Sequence, residues 1–423
     1  MSKVSCVVSC PADTYSGYGA RSRDFVKALI QAKPDWDVKI LSQRWGNTRF
    51  GYLEDHNEHN LHSRLNSKLT EKPDVWIQIT VPNEFANVGK YNIGVTAGIE
   101  TTVCHSDWVI GCNKMDLILV SSEHSKNVLE NTVYTVEDNR TKQTQELKIF
   151  KPVKVLFEGV DLDKYTDKTN DTINLPVKED FCFLTIGHWM KGNHGHDRKN
   201  IAYTVKAFLE TFKNKSKQPA LILKTSSSNP SIIDRENILD RIDQIRKTVK
   251  GTLPPIYLLH GDMTDSEINA LYNNSKVKAM LSLTKGEGFG RPLLEFTTTG
   301  KPVIASNWSG QIDFLNPMYS VLIGGELEQV DESAASDKLI MKEGKWFKPN
   351  DNEVSTKLRS MFENYKEHLA FSRKHKKHTK DNFSYDNMVK LLDLILTESV
   401  PEFPKLVDLK LPKLQLPKLQ KIN

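Results

Sequence analysis

Short apolar runs alternate with stretches of helical periodicity along most of the chain, the pattern of parallel strands covered by helices. Strands are predicted at Val4–Ser9, Val38–Leu41, Val75–Thr80, Tyr91–Thr96, Leu117–Val120 and Val153–Phe157. Ser16-Gly-Tyr-Gly19 reads as a flexible turn. Ala20–Ala32 after it is a predicted helix, with Phe25, Leu29 and Ile30 on its apolar side. Ser121–His124 is a helix start, and the polar stretch Thr132–Phe150 is a loop or hairpin insertion.

After a polar linker near Tyr165–Lys178 the alternation restarts. Strands are predicted at Phe181–Gly187, Ala220–Thr225, Ile256–His260, Ala279–Leu283 and Pro302–Ala305. The intervening helices are Ile201–Lys213, Ile232–Val249, Asp265–Asn273 and Arg291–Thr299. The expected organisation is therefore α/β, with two Rossmann-like doubly wound domains over residues 1–165 and 166–385. A cleft is expected between the carboxyl ends of their sheets. Residues 386–423 carry a helix end and a tail with prolines 404, 412 and 417 in Pro-Lys-Leu repeats, too dense for a helix, so an extended tail is expected.

Composition narrows the class without naming a function. The chain has 423 residues, 38% hydrophobic and 26% charged, which excludes a disordered or fibrous protein. No apolar run approaches the roughly 18 residues of a membrane span, and the N-terminal apolar stretch is too short for a secretion signal. A soluble, cytoplasmic protein is expected. The net charge of +5 suits anionic ligands but not the coating of nucleic acid. The basic run Arg373–Lys380 reads as a solvated helix face. Five cysteines without a Cys-x-x-Cys pair indicate reduced thiols.

The stretch from Thr284 to Ala305 carries the candidate chemistry. A strand runs into Gly286, Glu287, Gly288, Phe289 and Gly290, and a helix opens at Arg291-Pro292. Glycines let backbone approach a ligand, and a helix start offers free N–H groups to anions. Glu287 on the loop and Glu295 on the helix can grip hydroxyls at two points of a long ligand. The spacing is neither that of a dinucleotide fingerprint nor that of a P-loop, although strand-to-helix turns rich in glycine are common.

Glu-Gly-Phe-Gly-x-Pro-x-x-Glu followed by Gly-x-Pro-Val-Ile-Ala resembles the retaining GT-B glycosyltransferases. Met115–Ser122, Val155–Tyr165 and Leu258–Asp262 resemble other segments of that family in the same order, with Glu158 in place of a usual asparagine. Gly17–Asp24 and Trp308-Ser-Gly310 also look like glycosyltransferase-type chains of large tailed phages.

The resemblance implies that Glu295 holds the ribose hydroxyls of a nucleotide-diphosphate sugar, UDP- or GDP-linked, and that Glu287 meets the transferred sugar. The backbone of Gly288, Phe289 and Gly290 would contact sugar and diphosphate. Arg198 and Lys199 are the implied diphosphate cations, with Lys224 a further contact. The family places Gly-Arg after that strand, whereas here Gly187-His188 is followed by the insertion Trp189–Asp197. Which basic residue takes the arginine's role stays open. Gly17 and Gly19 match a glycine-rich loop by the phosphates. His105, or alternatively Glu100, would line the sugar site. His188, His194 and His196 read as a polar loop near the diphosphate, with His188 a donor-binding candidate, not as a metal site, and no permanent cofactor is implied.

The acceptor is open between a glycan or lipid-linked sugar, a hydroxymethylated DNA base, for which Arg44, Trp45 and Arg49 are candidates, and a protein. A catalytically silent nucleotide-sugar-binding or virion-associated protein is the alternative class. A GT-B-shaped epimerase or phosphorylase fits less well.

Overall fold

The first sheet is built from β1 (Ser5–Cys10), β2 (Asp37–Ser42), β3 (Leu65–Asn66), β4 (Val75–Ile79), β5 (Tyr91–Thr96) and β6 (Leu117–Val120). The antiparallel pair β7 (Tyr134–Glu137) and β8 (Thr144–Leu147) stands apart, and β9 (Val153–Val155) completes the sheet in the order β3-β2-β1-β4-β5-β6-β9. The second sheet contains β10 (Cys182–Ile186), β11 (Ala220–Lys224), β12 (Ile256–Leu259), β13 (Val277–Ser282), β14 (Val303–Ser306) and β15 (Val321–Ile323). Its order is β12-β11-β10-β13-β14-β15. A hairpin of β16 (Gly325–Gln329) and β17 (Lys345–Pro349) follows. This computed structural model describes residues 3–404, except 67, 138–139, 141, 170, 194, 228–229 and 337.

Every strand pairing in both large sheets is parallel. Parallel strands must be covered on both faces, and alternate residues divide accordingly. Val8, Ile77 and Leu119 enter one core with helix Gly17–Ala32, while Val7, Trp76 and Ile118 enter the core on the opposite face. The second sheet does the same, with Phe183 and Leu281 on one side and Leu184 and Met280 on the other.

Strand order reverses beside β1 and beside β10, so crevices open at the carboxyl ends of both sheets. The two domains touch directly. The Thr102 amide donates to the Lys345 carbonyl at 3.0 Å, the Lys345 amide returns to Thr102 Oγ1 at 2.9 Å, and the Glu123 amide donates to Asp313 Oδ2 at 2.8 Å.

Two local expectations change. Gly17-Tyr-Gly19 is not a flexible turn but the first turn of a helix spanning Gly17–Ala32, because Ser16 Oγ caps it by accepting the Gly19 amide at 2.9 Å. The chain after residue 305, for which the sequence pattern predicted little beyond a basic helix face, holds the helices Asp351–Glu363, Tyr365–Asn382 and Tyr385–Ser399. Helix Tyr365–Asn382 carries the basic run, with Arg373, Lys374 and Lys377 exposed and Ser372, His375 and Thr379 turned inward.

The last helix crosses back to the first sheet. Met388, Leu392, Ile395 and Leu396 complete that sheet's core, and Arg21 Nη2 pins the adjoining crossover by donating to the Leu156 carbonyl at 2.7 Å. Leu392→Ala is expected to destabilise the protein by about 2–5 kcal/mol, the cost of a buried leucine truncation, measured as a lower urea midpoint. The tail from 405 onward, with Pro412 and Pro417, lies outside the described residues. Among the described residues no helix is long and apolar enough to cross a membrane. All five cysteines are buried and free.

Candidate active site

The loop leaving β13 and the loop leaving β10 meet at the strand-order switch, where a cleft of about 440 Å³ opens toward the first domain. That volume suits a small-molecule site. Gly187, His188, Arg198, Lys199 and Lys224 line one side of it, and Glu287 through Pro292 form the base. Gly17, Tyr18, Trp45, Glu100 and Glu158 line the first-domain wall.

The glycines of the 286–290 loop have a job that sequence did not reveal. A Cβ on Gly286 would lie 2.0 Å from the Glu100 carbonyl oxygen, and one on Gly288 would lie 2.2 Å from that of Ala97. The loop can therefore touch the first domain backbone to backbone only without side chains. Ser122 Oγ seals that contact by donating to the Gly288 carbonyl at 2.6 Å. Gly290 opens the next helix at φ +97°, a left-handed conformation that glycine adopts freely.

That helix spans only Arg291–Thr297, seven residues.

The Trp308-Ser-Gly310 segment holds the loop from behind. The Glu287 amide donates to Ser309 Oγ at 2.9 Å, and the Glu287 carbonyl accepts the Gly310 amide at 2.9 Å. Glu287 then presents its carboxylate to two cations. Lys199 Nζ donates to its oxygens at 2.7 and 2.8 Å, and Arg198 Nη1 lies 3.3 Å from Oε2. Burial raises the Glu287 carboxyl, but the two cations outweigh it and hold the group below its ordinary value. Burial, reinforced by Arg198, lowers Lys199 despite Glu287.

Arg198 also reaches across the cleft, 3.5 Å from Glu100 Oε1, and donates to the Gly286 carbonyl at 2.9 Å. His188 sits beside these cations with Nδ1 3.0 Å from the Ser227 carbonyl, and burial followed by Lys199 lowers its pKa. Lys224 Nζ donates to the Gly261 carbonyl at 2.6 Å, and burial lowers its pKa against the pull of Asp262.

Other candidates lie off the cleft wall. Glu295 is 6% exposed and sits behind Arg291, whose Nε donates to its Oε1 at 2.8 Å; the Tyr272 hydroxyl lies 3.3 Å from Oε2. Burial pushes Glu295 up to about 7, with Arg291 offsetting only part and Asp265 and Asp24 adding to the rise. Gly19 faces inward, where a Cβ would lie 2.3 Å from the Thr14 carbonyl oxygen. His105 caps helix Ser106–Cys112, its Nδ1 accepting the Asp107 amide at 3.0 Å, and is not among the side chains lining the cleft. Its present partners give it a structural task, while Glu100 from the same region does face the cleft. His196 lies 3.8 Å from Asp331, and His194 is outside the described residues.

Several residues of the site escaped the sequence reading. Arg291 Nη1 lies 2.6 Å from Asp24 Oδ2, joining the two domains beside the cleft. Both residues sat inside motifs already noted, and the opposite charges at 291 and 295, one helical turn apart, were the available signal. Arg21 and Arg23, neighbours of Asp24, turned out to be internal braces. Arg23 Nη1 donates to the Ala12 and Thr14 carbonyls and its guanidinium lies 3.3 Å from the centre of the Tyr52 ring.

Residues 256–378 match the family model described as glycosyl transferases, group 1. This stretch, less than a third of the chain, is similar to group 1 glycosyltransferases. It contains the 286–290 loop, Glu287, Arg291 and Glu295, and is therefore the domain that forms the base of the cleft. No curated protein matches the chain in sequence.

Beyond this stretch, the whole chain has the GT-B fold of two Rossmann-like domains. A glycosyltransferase from Rickettsia africae is similar over 94% of this chain and 99% of its own, at 14% identity and a TM-score of 0.63. Sucrose-phosphate synthase from Thermosynechococcus elongatus covers 94% and 99%, at 11% and 0.59. The Anabaena protein HepE, in complex with UDP and glucose, covers 93% and 99%, at 12% and 0.55. These likenesses establish a shared fold.

Proposed function

We propose that the protein is a retaining glycosyltransferase that moves a sugar from a nucleoside-diphosphate donor to a hydroxyl acceptor. The observation that carries this reading is the cluster of half-buried Arg198 and Lys199 with buried Glu287 at the switch point of the second sheet. Two cations there suit a pyrophosphate, and a fixed carboxylate suits sugar hydroxyls. The complex of HepE with UDP and glucose makes UDP-sugars the first donors to test.

In the proposed step the acceptor oxygen bonds to the anomeric carbon on the face from which the diphosphate departs. The carbon–oxygen bond to the diphosphate breaks and its electron pair stays with the diphosphate, which also takes the acceptor proton. Arg198 and Lys199 stabilise the charge that collects on the leaving group. Glu287, already ion-paired and held below its usual pKa, remains ionised and orients the sugar. Glu295 is assigned the ribose hydroxyls, sharing Arg291 as it does so. The contacts at Gly286 and Gly288 keep water out by closing the first domain on the loop.

Thermal-shift screening against UDP-, GDP-, ADP- and TDP-sugars tests the donor class. A ligand at a hundred times its Kd is expected to add about 2.7 kcal/mol of stability, visible as a rise in Tm. NMR of the product should then show the donor's anomeric configuration preserved. Absence of a shift together with absence of nucleotide release would overturn the reading, and an inverted product would overturn its stereochemistry.

A further inference from the structure

The first-domain wall of the cleft carries an aromatic pair that the donor chemistry does not use. Tyr18, in the first turn of helix Gly17–Ala32, is held by its hydroxyl, which lies 3.1 Å from Thr96 Oγ1 and accepts the Ala97 amide at 3.1 Å. Trp45 lies flat on it, with ring centroids 3.9 Å apart and planes 19° from parallel.

The loop bearing Trp45 is anchored at both ends. The Gln43 amide donates to the Cys10 carbonyl at 2.9 Å and the Tyr15 amide to the Arg49 carbonyl at 3.1 Å. Yet Trp45 belongs to none of the apolar cores, and its indole is only partly buried. A large aromatic ring held rigid at a cleft wall, outside any core, is surface prepared for another ring.

The charge around it selects what that ring can be. Glu100 and Glu158 stand on the same wall, with Arg198 3.5 Å from Glu100 Oε1 and the other Glu100 oxygen left to accept hydroxyls. Three of the four nearby arginines are bonded within the protein, and the fourth, Arg44, is exposed. Arg44 lies over Phe50 at 5.7 Å, Arg49 pairs with Asp55 and lies over Tyr15 at 4.9 Å, and Arg21 and Arg23 are bonded to backbone carbonyls. A DNA or phosphorylated acceptor brings negative charge, and binding it depends on free cations. Carboxylates instead accept hydroxyl protons, and the negative face of an aromatic ring attracts the C–H face of a pyranose.

We propose that the Tyr18–Trp45 stack is the acceptor platform and that the acceptor is an uncharged sugar ring, its hydroxyls taken by Glu100 and Glu158. The proposal rests on the glycosyltransferase reading above and adds the acceptor class to it. Trp45 is a specificity residue here and touches no atom of the breaking bond.

The test uses the full chain, the donor that gives the largest thermal shift, and three acceptor probes. These are a panel of neutral disaccharides (maltose, lactose, cellobiose and mannobiose), glucose 6-phosphate, and duplex DNA containing hydroxymethylcytosine. Transfer is expected to a neutral disaccharide. Trp45→Ala should raise the KM for that disaccharide about 10- to 100-fold, the range set by loss of one ring-stacking contact, with a smaller change in kcat. Trp45→Phe should restore most of the affinity, and the thermal shift with UDP should stay at its wild-type value in both variants.

Transfer confined to DNA or to the sugar phosphate, or to no member of the neutral panel while nucleotide is still released, overturns the proposal. So does an unchanged acceptor KM in Trp45→Ala. Failure of the wild-type protein to bind any of the donors or release nucleotide from them strikes at the glycosyltransferase reading instead.

Discussion

Replacing Lys199 with methionine is expected to lower kcat by about two to three orders of magnitude, the typical cost of removing one preorganised electrostatic contact to a transition state. The physical ground is the pairing seen in the cleft. Lys199 and Arg198 both pair with Glu287, and Arg198 also reaches Glu100 across the cleft, so the cations are held in place before any ligand arrives. A diphosphate leaving group brings further negative charge to them, and that charge grows as the bond breaks. The loss should therefore fall on kcat more than on KM.

Lys199→Arg should recover only part of the activity, since the planar guanidinium does not reproduce the ammonium that bridges both Glu287 oxygens at 2.7 and 2.8 Å. Steady-state kinetics with a melting curve for each variant separates this from a folding defect. Turnover within tenfold of wild type in a folded Lys199→Met protein would remove the cation from the mechanism.

The second large effect is expected at Glu295. Glutamine is the informative substitution, because alanine would leave a cavity behind Arg291 and take away the partner of its Nε. Two hydrogen bonds from ribose to a carboxylate, each worth about 1.5–3 kcal/mol, predict that Glu295→Gln lowers kcat/KM about a hundredfold or more. Acidity supplies a second signature. The carboxyl is raised to about 7 from an ordinary 4.5, so it is largely protonated at pH 6 and ionises as pH rises through 7. Nucleotide affinity of the wild type should therefore increase from pH 6 to pH 8 by a factor that Glu295→Gln lacks.

Stability moves the other way. The native state retains this proton more strongly than the unfolded chain, so the stabilisation it contributes is complete below about 4.5 and is lost as pH rises through about 7. Calorimetry of both proteins at pH 5 and pH 8 should show the gap between wild type and variant change in that sense. Equal pH dependence of nucleotide binding in the two proteins would separate Glu295 from the ribose.

Part of this site could be read directly from the chain. The strands Tyr91–Thr96 and Leu117–Val120 and the helix Asp265–Asn273 lie where periodicity put them. The helix begins where it does because Thr264 and Glu267 cap each other's backbone amides, a signal four residues long. Glu287 was legible from glycine spacing at a strand end, whereas Arg198 and Lys199 were marked only by the family resemblance; all three line the cleft. The connection of Arg291 to Asp24 was not, since it joins two domains and no local pattern encodes it. Glu295 was placed on its helix correctly, but its burial behind Arg291 depends on neighbours far away in sequence.

By itself the sequence determined two parallel α/β sheets, the crevice at their strand ends and the glycine-rich loop with Glu287 that enters it. Those properties follow from alternation and spacing over a few residues, where side-chain periodicity and backbone freedom act locally. Only the tertiary structure decided that the last helix returns to the first sheet, that Gly286 and Gly288 serve contact between domains, and that Trp45 lies on Tyr18. Each of these joins segments far apart in the chain, and the energy that selects them, apolar burial and close packing between surfaces, exists only once both surfaces have formed.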